Sequence, residues 1–197
     1  MNHRETARQA KIDSIVEMSQ GYSAMTRVFS RGSNGEIVKQ LGIFFTELER
    51  VTRQEEYDAA HVAFCRWFEL SITMAGKTKR ACSYGHGAKV LDIAAKVYVY
   101  YCARPSLEAA EKLIPMLHGG LDTAMINDLK RRYPSKGIRA KSVVSVNQHE
   151  HNRLQELVVE DIRSQFDSQI HPVQWDDIMF RRFNREPRPS PLRRGAG

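Results

Sequence analysis

The feature that most limits how this chain can fold is a long apolar stretch near its middle. Residues 88–102 are apolar nearly throughout, and the polar exceptions Lys89, Asp92 and Lys96 are separated by helical spacing. Positions three and four residues apart lie on one face of an α-helix, so the stretch predicts a helix that is buried on most sides. The three charged side chains form one line, which faces either solvent or a cleft. We predict that this helix begins at Ala88.

Helical periodicity recurs through the rest of the chain. Apolar residues repeat with the spacing of an amphipathic helix in several segments, whereas residues 142–146 give the only candidate strand, and it is short. These patterns predict an all-α fold. The further predicted helices cover residues 4–20, 36–51, 55–74, 122–132 and 147–169, with a helical turn or two over 107–117 and a last short helix over 172–180.

The length and composition favour one soluble domain. A chain of 197 residues can bury a single core, and we predict a multi-helix orthogonal bundle over residues 1–184. Residues 185–197 are rich in proline, arginine and glycine, which predicts a disordered basic tail. No apolar run reaches the roughly 18 residues of a membrane span, and the N-terminus lacks the apolar segment of a signal peptide. The three cysteines lie far apart, so we expect a reduced, cytoplasmic protein without membrane association.

Positive charge is segregated along the chain, which has a formal net charge of +7. Residues 181–197 contain six arginines and one glutamate, and residues 130–141 contain six cations and no acid. A third basic cluster, which includes Lys77, Lys79 and Arg80, precedes the apolar stretch. Such segregation predicts an anionic partner that binds through its phosphates. The alternative is that these cations only solvate helix ends.

A glycine-rich turn precedes the apolar stretch, and an aspartate follows it at a second helix start. Gly85 and Gly87 flank His86, and Lys89 comes two residues later. Glycines allow backbone N–H groups to approach a phosphate, and the start of a helix adds partial positive charge. Asp122 stands 33 positions after Lys89, where it fits the N-cap of the next helix. We therefore predict an exposed hairpin that contacts DNA phosphates.

The Gly-x-Gly-x-Lys turn with its distant aspartate resembles the helix–hairpin–helix DNA glycosylases, and the long gap is most similar to their archaeal 8-oxoguanine branch. The resemblance covers residues 76–133. It implies that Lys89 is the nucleophile that displaces a damaged or modified base, with a lyase step through a Schiff base, and that Asp122 is its catalytic partner. It also implies a duplex DNA partner, in base repair or phage defence, and no cofactor, because the four-cysteine cluster of the iron–sulfur branch is absent. The DNA contacts expected are Gly85, His86, Gly87, Lys77, Lys79, Arg80, Arg131 and Arg132.

The chain also departs from this family pattern. Ser83 and Tyr84 occupy the positions where Leu-Pro usually precedes the hairpin, and His86 stands where valine or isoleucine is usual. Purely structural roles are the alternative for the two catalytic candidates. Lys89 is then an ordinary cation on a solvated stripe, and Asp122 is a helix cap without chemistry.

Two other functions use overlapping residues. Arg80 and His86 are separated by five residues, which resembles the motif of the HEPN-type ribonucleases, small all-α toxins and defence effectors. That resemblance implies that the pair cuts RNA with the ribose 2′-OH as nucleophile. Against it, Ala81 follows the arginine where a polar residue is usual, and Gly85 interrupts the motif. A helical DNA-binding module without chemistry needs only the basic clusters.

The sequence predicts no metal site. His149 and His151 are two positions apart, which directs their side chains about 200° apart around a helix, and no third ligand is evident. His118 precedes a glycine pair, and a surface or capping role is expected for it.

Overall fold

The computed structural model describes residues 28–76, 80–168 and 170–185 of the chain. These residues form seven α-helices and one antiparallel pair of two-residue strands, so the all-α prediction is confirmed. The helix predicted at 4–20 and the tail predicted beyond residue 185 lie outside the described residues. The helices are α1 Ser33–Leu48, α2 Gln54–Ser71, α3 Tyr84–Ala95, α4 Leu107–Leu113, α5 Thr123–Arg132, α6 Gln148–Phe166 and α7 Pro172–Arg185, and the strands are β1 Thr73–Met74 and β2 Arg80–Ala81.

Helix α3 begins at Tyr84 rather than at the predicted Ala88. The reason is a reciprocal cap at its start. The backbone N–H of His86 donates to Oγ of Ser83 at 3.4 Å, while the backbone N–H of Ser83 donates to Nδ1 of His86 at 3.0 Å. This capping box satisfies two backbone donors that a helix start otherwise leaves unpaired. The helix then continues as a π-helix over Lys96–Tyr101.

The predicted exposed hairpin is wrong, because Gly85 and Gly87 lie inside the first turn of α3 and are buried. Neither glycine has a positive φ. A Cβ on Gly85 would lie 2.3 Å from the carbonyl oxygen of Val143, and a Cβ on Gly87 would lie 2.9 Å from Cβ of Phe68. Glycine is therefore needed because neighbouring segments pack directly on the helix backbone. One of these segments is the 3₁₀ turn Val143–Ser145, where a strand was predicted.

Two adjoining clusters of apolar side chains form the core. The first is built mainly from α1 to α4 and includes the stacked rings of Phe45 and Tyr98, whose centroids are 4.1 Å apart. The second is built mainly from α5 to α7 and includes Trp175, whose indole N–H donates to Asp161 at 2.7 Å. Helix α3 packs chiefly against α2 and also contacts α6. None of the described helices is long and apolar enough to cross a membrane.

Candidate functional site

Lys89 and Asp122, the two predicted catalytic residues, line the same pocket. Lys89 projects from α3, and Asp122 is the N-cap of α5. The pocket has a volume of about 320 Å³ and is also bordered by residues of the π-helical segment and of α7. Helix packing thus brings together two side chains that stand 33 positions apart in the sequence.

Asp122 has a capping role that leaves part of its carboxylate available. Its Oδ1 accepts a hydrogen bond of 2.8 Å from the backbone N–H of Met125, which confirms the predicted N-cap. The other carboxylate oxygen accepts no hydrogen bond from the described residues. Because one oxygen is enough to cap the helix, the second can act on a ligand in the pocket.

Two lysines face this pocket, Lys89 on α3 and Lys96 at the start of the π-helix, and they differ in their surroundings. Lys96 is held by two carboxylates of α7, with Nζ 2.6 Å from Oδ2 of Asp176 and 3.1 Å from Oδ1 of Asp177. Lys89 is half-buried, and in the part of the chain that the structure describes, no hydrogen bond or ion pair holds its amine. Lys89 is therefore the lysine that is available for reaction or for ligand binding.

Asp176 is a pocket residue that the sequence analysis did not identify. Burial raises its pKa to about 6, although Lys96 partly opposes the shift. A carboxyl group with such a pKa can donate or accept a proton near neutral pH. Nothing in the local sequence Trp175-Asp176-Asp177 indicates this property, because it arises from packing against α3.

Two aromatic side chains border the pocket at the protein surface. Tyr101 and Phe180 are each 55% exposed, which is unusual for such large rings. The Tyr101 hydroxyl donates to Oδ1 of Asp177 at 2.6 Å, which orients its ring. Exposed rings beside a pocket are suited to stacking on a planar ligand such as a nucleobase. Phe68, Tyr84 and Trp175, by contrast, are buried in the core.

The residues predicted to contact DNA phosphates differ in their exposure and in their partners. Arg131 is exposed and pairs with Asp128 at 2.6 Å. Arg132 instead joins Asp128 to the fully buried Asp161, so it connects two helices within the protein. Gly85, His86 and Gly87 are buried and do not present their backbone to a ligand, because the first turn of α3 is packed against its neighbours. Arg80 is exposed on β2, whereas Lys77 and Lys79 lie outside the described residues.

The arrangement expected of a HEPN-type ribonuclease is not present. His86 is only 2% exposed, and its Nδ1 accepts the backbone hydrogen bond that caps α3. Arg80 is exposed on the short strand β2. His86 is therefore held inside the protein as a helix cap, whereas Arg80 lies at the surface.

The third charged residue of the α3 stripe, Asp92, does not face the pocket but points into the protein. There its side chain meets three histidines, and the four residues each offer one metal-ligating atom within 4.8 Å of the others. Oδ1 of Asp92 lies 2.9 Å from Nε2 of His61, and Oδ2 lies 3.8 Å from Nε2 of His151. The expectation that no third ligand accompanies His151 therefore needs correction, because α2, α3, α6 and the segment before α5, which carries His118, bring four potential ligands together.

Burial has opposite effects on the two partners at the centre of this cluster. It lowers the pKa of His61 below the usual range, although Asp92 opposes the shift. It would raise the pKa of Asp92, but the neighbouring rings of His61 and His151 keep that pKa below the usual range. A carboxylate among imidazole rings is thus favoured in its charged form.

Comparisons of the chain with protein-family models, with curated proteins and with solved structures each find no match.

Proposed function

We propose that this protein is a DNA N-glycosylase with lyase activity, in which Lys89 is the nucleophile and Asp122 its catalytic partner. The observation that carries the proposal is the shared pocket of these two residues. The resemblance to the glycosylases suggested both residues from sequence spacing, and their shared pocket is an independent geometric argument. Because residues 85–87 are buried, this proposal does not include a hairpin that contacts DNA. The pocket shared by Lys89 and Asp122 does not depend on that hairpin.

The pocket is suited to a single extruded base. Its volume of about 320 Å³ lies at the small end of the range for ligand sites. An enzyme that acts on a base in duplex DNA must turn the nucleotide out of the stack and hold it between side chains. Tyr101 and Phe180 lie at the pocket with exposed rings that can stack on such a base.

The chemistry assigns one role to each polar side chain. The lone pair of the Lys89 amine attacks C1′ of the nucleotide, the bond from C1′ to the base breaks, and the base leaves with the bonding electrons and takes up a proton. Asp122 stabilises the positive charge that develops on the sugar. Asp176 lines the same pocket, and its raised pKa suits it to supply the proton. Proton transfer to O4′ opens the sugar ring and gives a Schiff base between Nζ and C1′. In the lyase step a proton leaves C2′, the bond from C3′ to its phosphate breaks with the phosphate as leaving group, and water then hydrolyses the Schiff base to free Lys89.

Exposed cations at the far end of α5 provide a surface for the DNA backbone. Helix α5 has ten residues and is about 15 Å long, so its basic C-terminal end lies within a few nucleotides of Asp122 along a DNA strand. Contacts of this kind position DNA without reading its sequence. The exposed cations of this segment are Arg131, Lys136, Arg139 and Lys141.

Borohydride trapping tests the proposal directly. Reduction converts a Schiff base between enzyme and DNA into a permanent crosslink, and a panel of duplexes with oxidised purines and phage-type modified bases covers the unknown substrate. We expect a crosslink with wild type that is lost in Lys89→Gln. Lys112→Gln is the matched control, because this exposed lysine pairs only with Glu108 on α4.

Two other results would replace the proposal. If no duplex gives a crosslink and Lys89→Gln only lowers a salt-sensitive DNA affinity, the protein is a binding module and Lys89 is a phosphate contact. If labelled RNA is cut instead, and Arg80→Ala with His86→Ala abolishes the cleavage, the ribonuclease alternative is correct.

A further inference from the structure

The cluster of His61, Asp92, His118 and His151 does not line the pocket of Lys89 and Asp122 and has no role in the proposed reaction. The imidazole rings surround the Asp92 carboxylate: the centroids of His61 and His118 are 4.5 Å apart, those of His61 and His151 are 5.0 Å apart, and those of His118 and His151 are 5.3 Å apart. We infer that these four side chains bind one zinc ion.

The distances fit a tetrahedral site. Zinc bonds of about 2.0–2.1 Å to nitrogen and oxygen place neighbouring ligand atoms about 3.3 Å apart. The separation between Nε2 of His61 and Oδ1 of Asp92 is 2.9 Å, and all four ligand atoms lie within 4.8 Å of one another. Side-chain rotations alone can bring such a set into the first coordination sphere. Three imidazoles and a carboxylate are ligands that zinc binds well.

The other ring nitrogens of two histidines have partners of the kind found behind zinc ligands. Nε2 of His118 is 3.1 Å from Oδ1 of Asp58, and Nδ1 of His61 is 3.6 Å from Sγ of Cys65. A metal-bound histidine usually donates its second N–H to a carboxylate or a similar acceptor, which fixes the ring orientation. For His118 this arrangement leaves Nδ1 as the nitrogen that faces a metal.

Two buried nitrogens of the cluster have no hydrogen-bond partner among the residues that the structure describes. They are Nδ1 of His118 and Nδ1 of His151. Buried polar atoms in proteins are normally paired, and an unpaired one is destabilising. No lysine or arginine of the described residues pairs with Asp92, whose carboxylate is almost fully buried. A zinc ion would satisfy a ring nitrogen of His118 and balance the charge of Asp92 at once.

The surrounding structure holds the ligands in place and gives an ion a route to them. Gln155 accepts from the backbone N–H of Gly119 at 3.1 Å and donates to the carbonyl oxygen of Gly119 at 2.9 Å, so it fixes the residue next to His118. A cavity of about 460 Å³ is lined by His61 and His118 together with Asp58. The Asp58 carboxylate in this cavity would attract a cation, and the cavity opens to solvent on one side.

A site with four protein ligands is closed, and such zinc sites stabilise folds rather than perform chemistry. The ligands come from α2, α3, the segment before α5, and α6, so one ion would join four parts of the chain. Asp92 and Lys89 are three residues apart on α3, and zinc would therefore also fix the helix that carries the proposed nucleophile. The inference itself does not depend on the glycosylase proposal, because it rests on different side chains.

Zinc binding is measured on the full-length protein after chelator treatment. We expect one equivalent of Zn²⁺ per chain by elemental analysis and calorimetry, a higher melting temperature with Zn²⁺, and the visible absorption of tetrahedral Co²⁺ after Co²⁺ substitution. His118→Gln should lower zinc affinity at least tenfold. The matched control is His149→Gln, because this histidine is exposed on the same helix as His151 and should leave binding unchanged.

The inference is overturned if chelator-treated wild type binds no stoichiometric Zn²⁺, which would make the cluster a hydrogen-bonded histidine network. It is also overturned if His118→Gln and His149→Gln bind zinc equally. Should His118→Gln fail to fold, Asp58→Asn gives the answer, because it removes only the carboxylate behind His118 from a half-exposed position. Asp58→Asn should lower zinc affinity, and unchanged affinity would contradict the inference.

Discussion

Lys96, the first residue of the π-helix, and Asp176 on α7 form an ion pair with 2.6 Å between Nζ and Oδ2. The pair joins the two core clusters at the wall of the pocket that Lys89 and Asp122 share. The ion pair engages Lys96, one of the two lysines that face the pocket. Lys89, the other, has no carboxylate partner among the described residues.

The first prediction concerns Asp176 and pH. Its folded pKa of about 6 exceeds the ordinary value of 3.8, so the folded state binds this proton more tightly than the unfolded state. The free energy of unfolding should therefore fall as pH rises from about 4 to about 6, by up to about 3 kcal/mol from this group. In Asp176→Asn that decrease should be absent. Urea denaturation of both proteins across this range checks the prediction, and parallel pH curves would contradict it.

The second prediction concerns the buried glycines of α3. Gly85→Ala places a Cβ 2.3 Å from a backbone oxygen, so we expect a loss of about 1–3 kcal/mol or more in the free energy of unfolding. Gly42→Ala on α1 is the matched control, because nothing lies within 4 Å of its added Cβ. That variant should gain up to about 1 kcal/mol from helix propensity. A Gly85→Ala variant as stable as wild type would contradict the close packing of α3 against its neighbours. The prediction of an exposed hairpin at Gly85 and Gly87 would then stand again.

The third prediction separates two neighbouring arginines. Arg132→Gln removes a cationic partner of the buried Asp161 and should cost about 3 kcal/mol of folding free energy. Arg131→Gln removes an exposed cation and leaves Asp128 paired with Arg132, so it should cost less than about 1 kcal/mol. Thermal denaturation of the two variants decides the point, and equal losses would contradict the structural role of Arg132.

The fourth prediction concerns DNA affinity and salt. If the exposed cations at and beyond the C-terminal end of α5 contact phosphates, log K for duplex DNA should fall linearly with the logarithm of salt concentration. Arg131→Gln should weaken binding for all sequences alike and reduce the slope by about one. Fluorescence anisotropy at several salt concentrations measures both quantities. Binding that is indifferent to salt would contradict the phosphate contacts.

The fifth prediction divides the two roles of Asp122. Asparagine caps a helix about as well as aspartate, whereas alanine loses about 1 kcal/mol. Asp122→Asn should therefore keep the stability of wild type, and Asp122→Ala should not. Both variants should lose the borohydride crosslink by orders of magnitude if the negative charge takes part in the reaction. Full crosslinking by Asp122→Asn would leave this residue with capping alone.

The sequence by itself determined the helices and the first catalytic candidates. The apolar spacing of residues 36–51 and 55–74 predicted α1 and α2 to within a few residues, because each buries one face against the core. The N-cap at Asp122 was also readable, since capping depends on neighbouring residues only. The resemblance to the glycosylases pairs Lys89 with Asp122, and both residues line one pocket of the structure.

The local sequence pattern gave wrong predictions where contacts with other segments determine the backbone conformation. Gly85 and Gly87 suggested a turn because glycine is common in turns, but here it allows Val143 and Phe68 to lie against a helix backbone. The segment Val143–Ser145 had the alternation of a strand, yet it finds no partner strand and forms a 3₁₀ turn on α3. Which segment packs against which is decided by the tertiary structure, and it cannot be read from composition or periodicity.

The direction of side chains on α3 was decided only by the tertiary structure. Lys89, Asp92 and Lys96 are spaced so that they would lie on one face of a helix. In the structure that face borders the pocket on one side and the protein interior on the other. Lys89 and Lys96 face the pocket, whereas Asp92 enters the interior, where His61 and His151 arrive from α2 and α6. A long-range cluster of this kind has no local spacing, because its residues become neighbours only when the helices that carry them pack together.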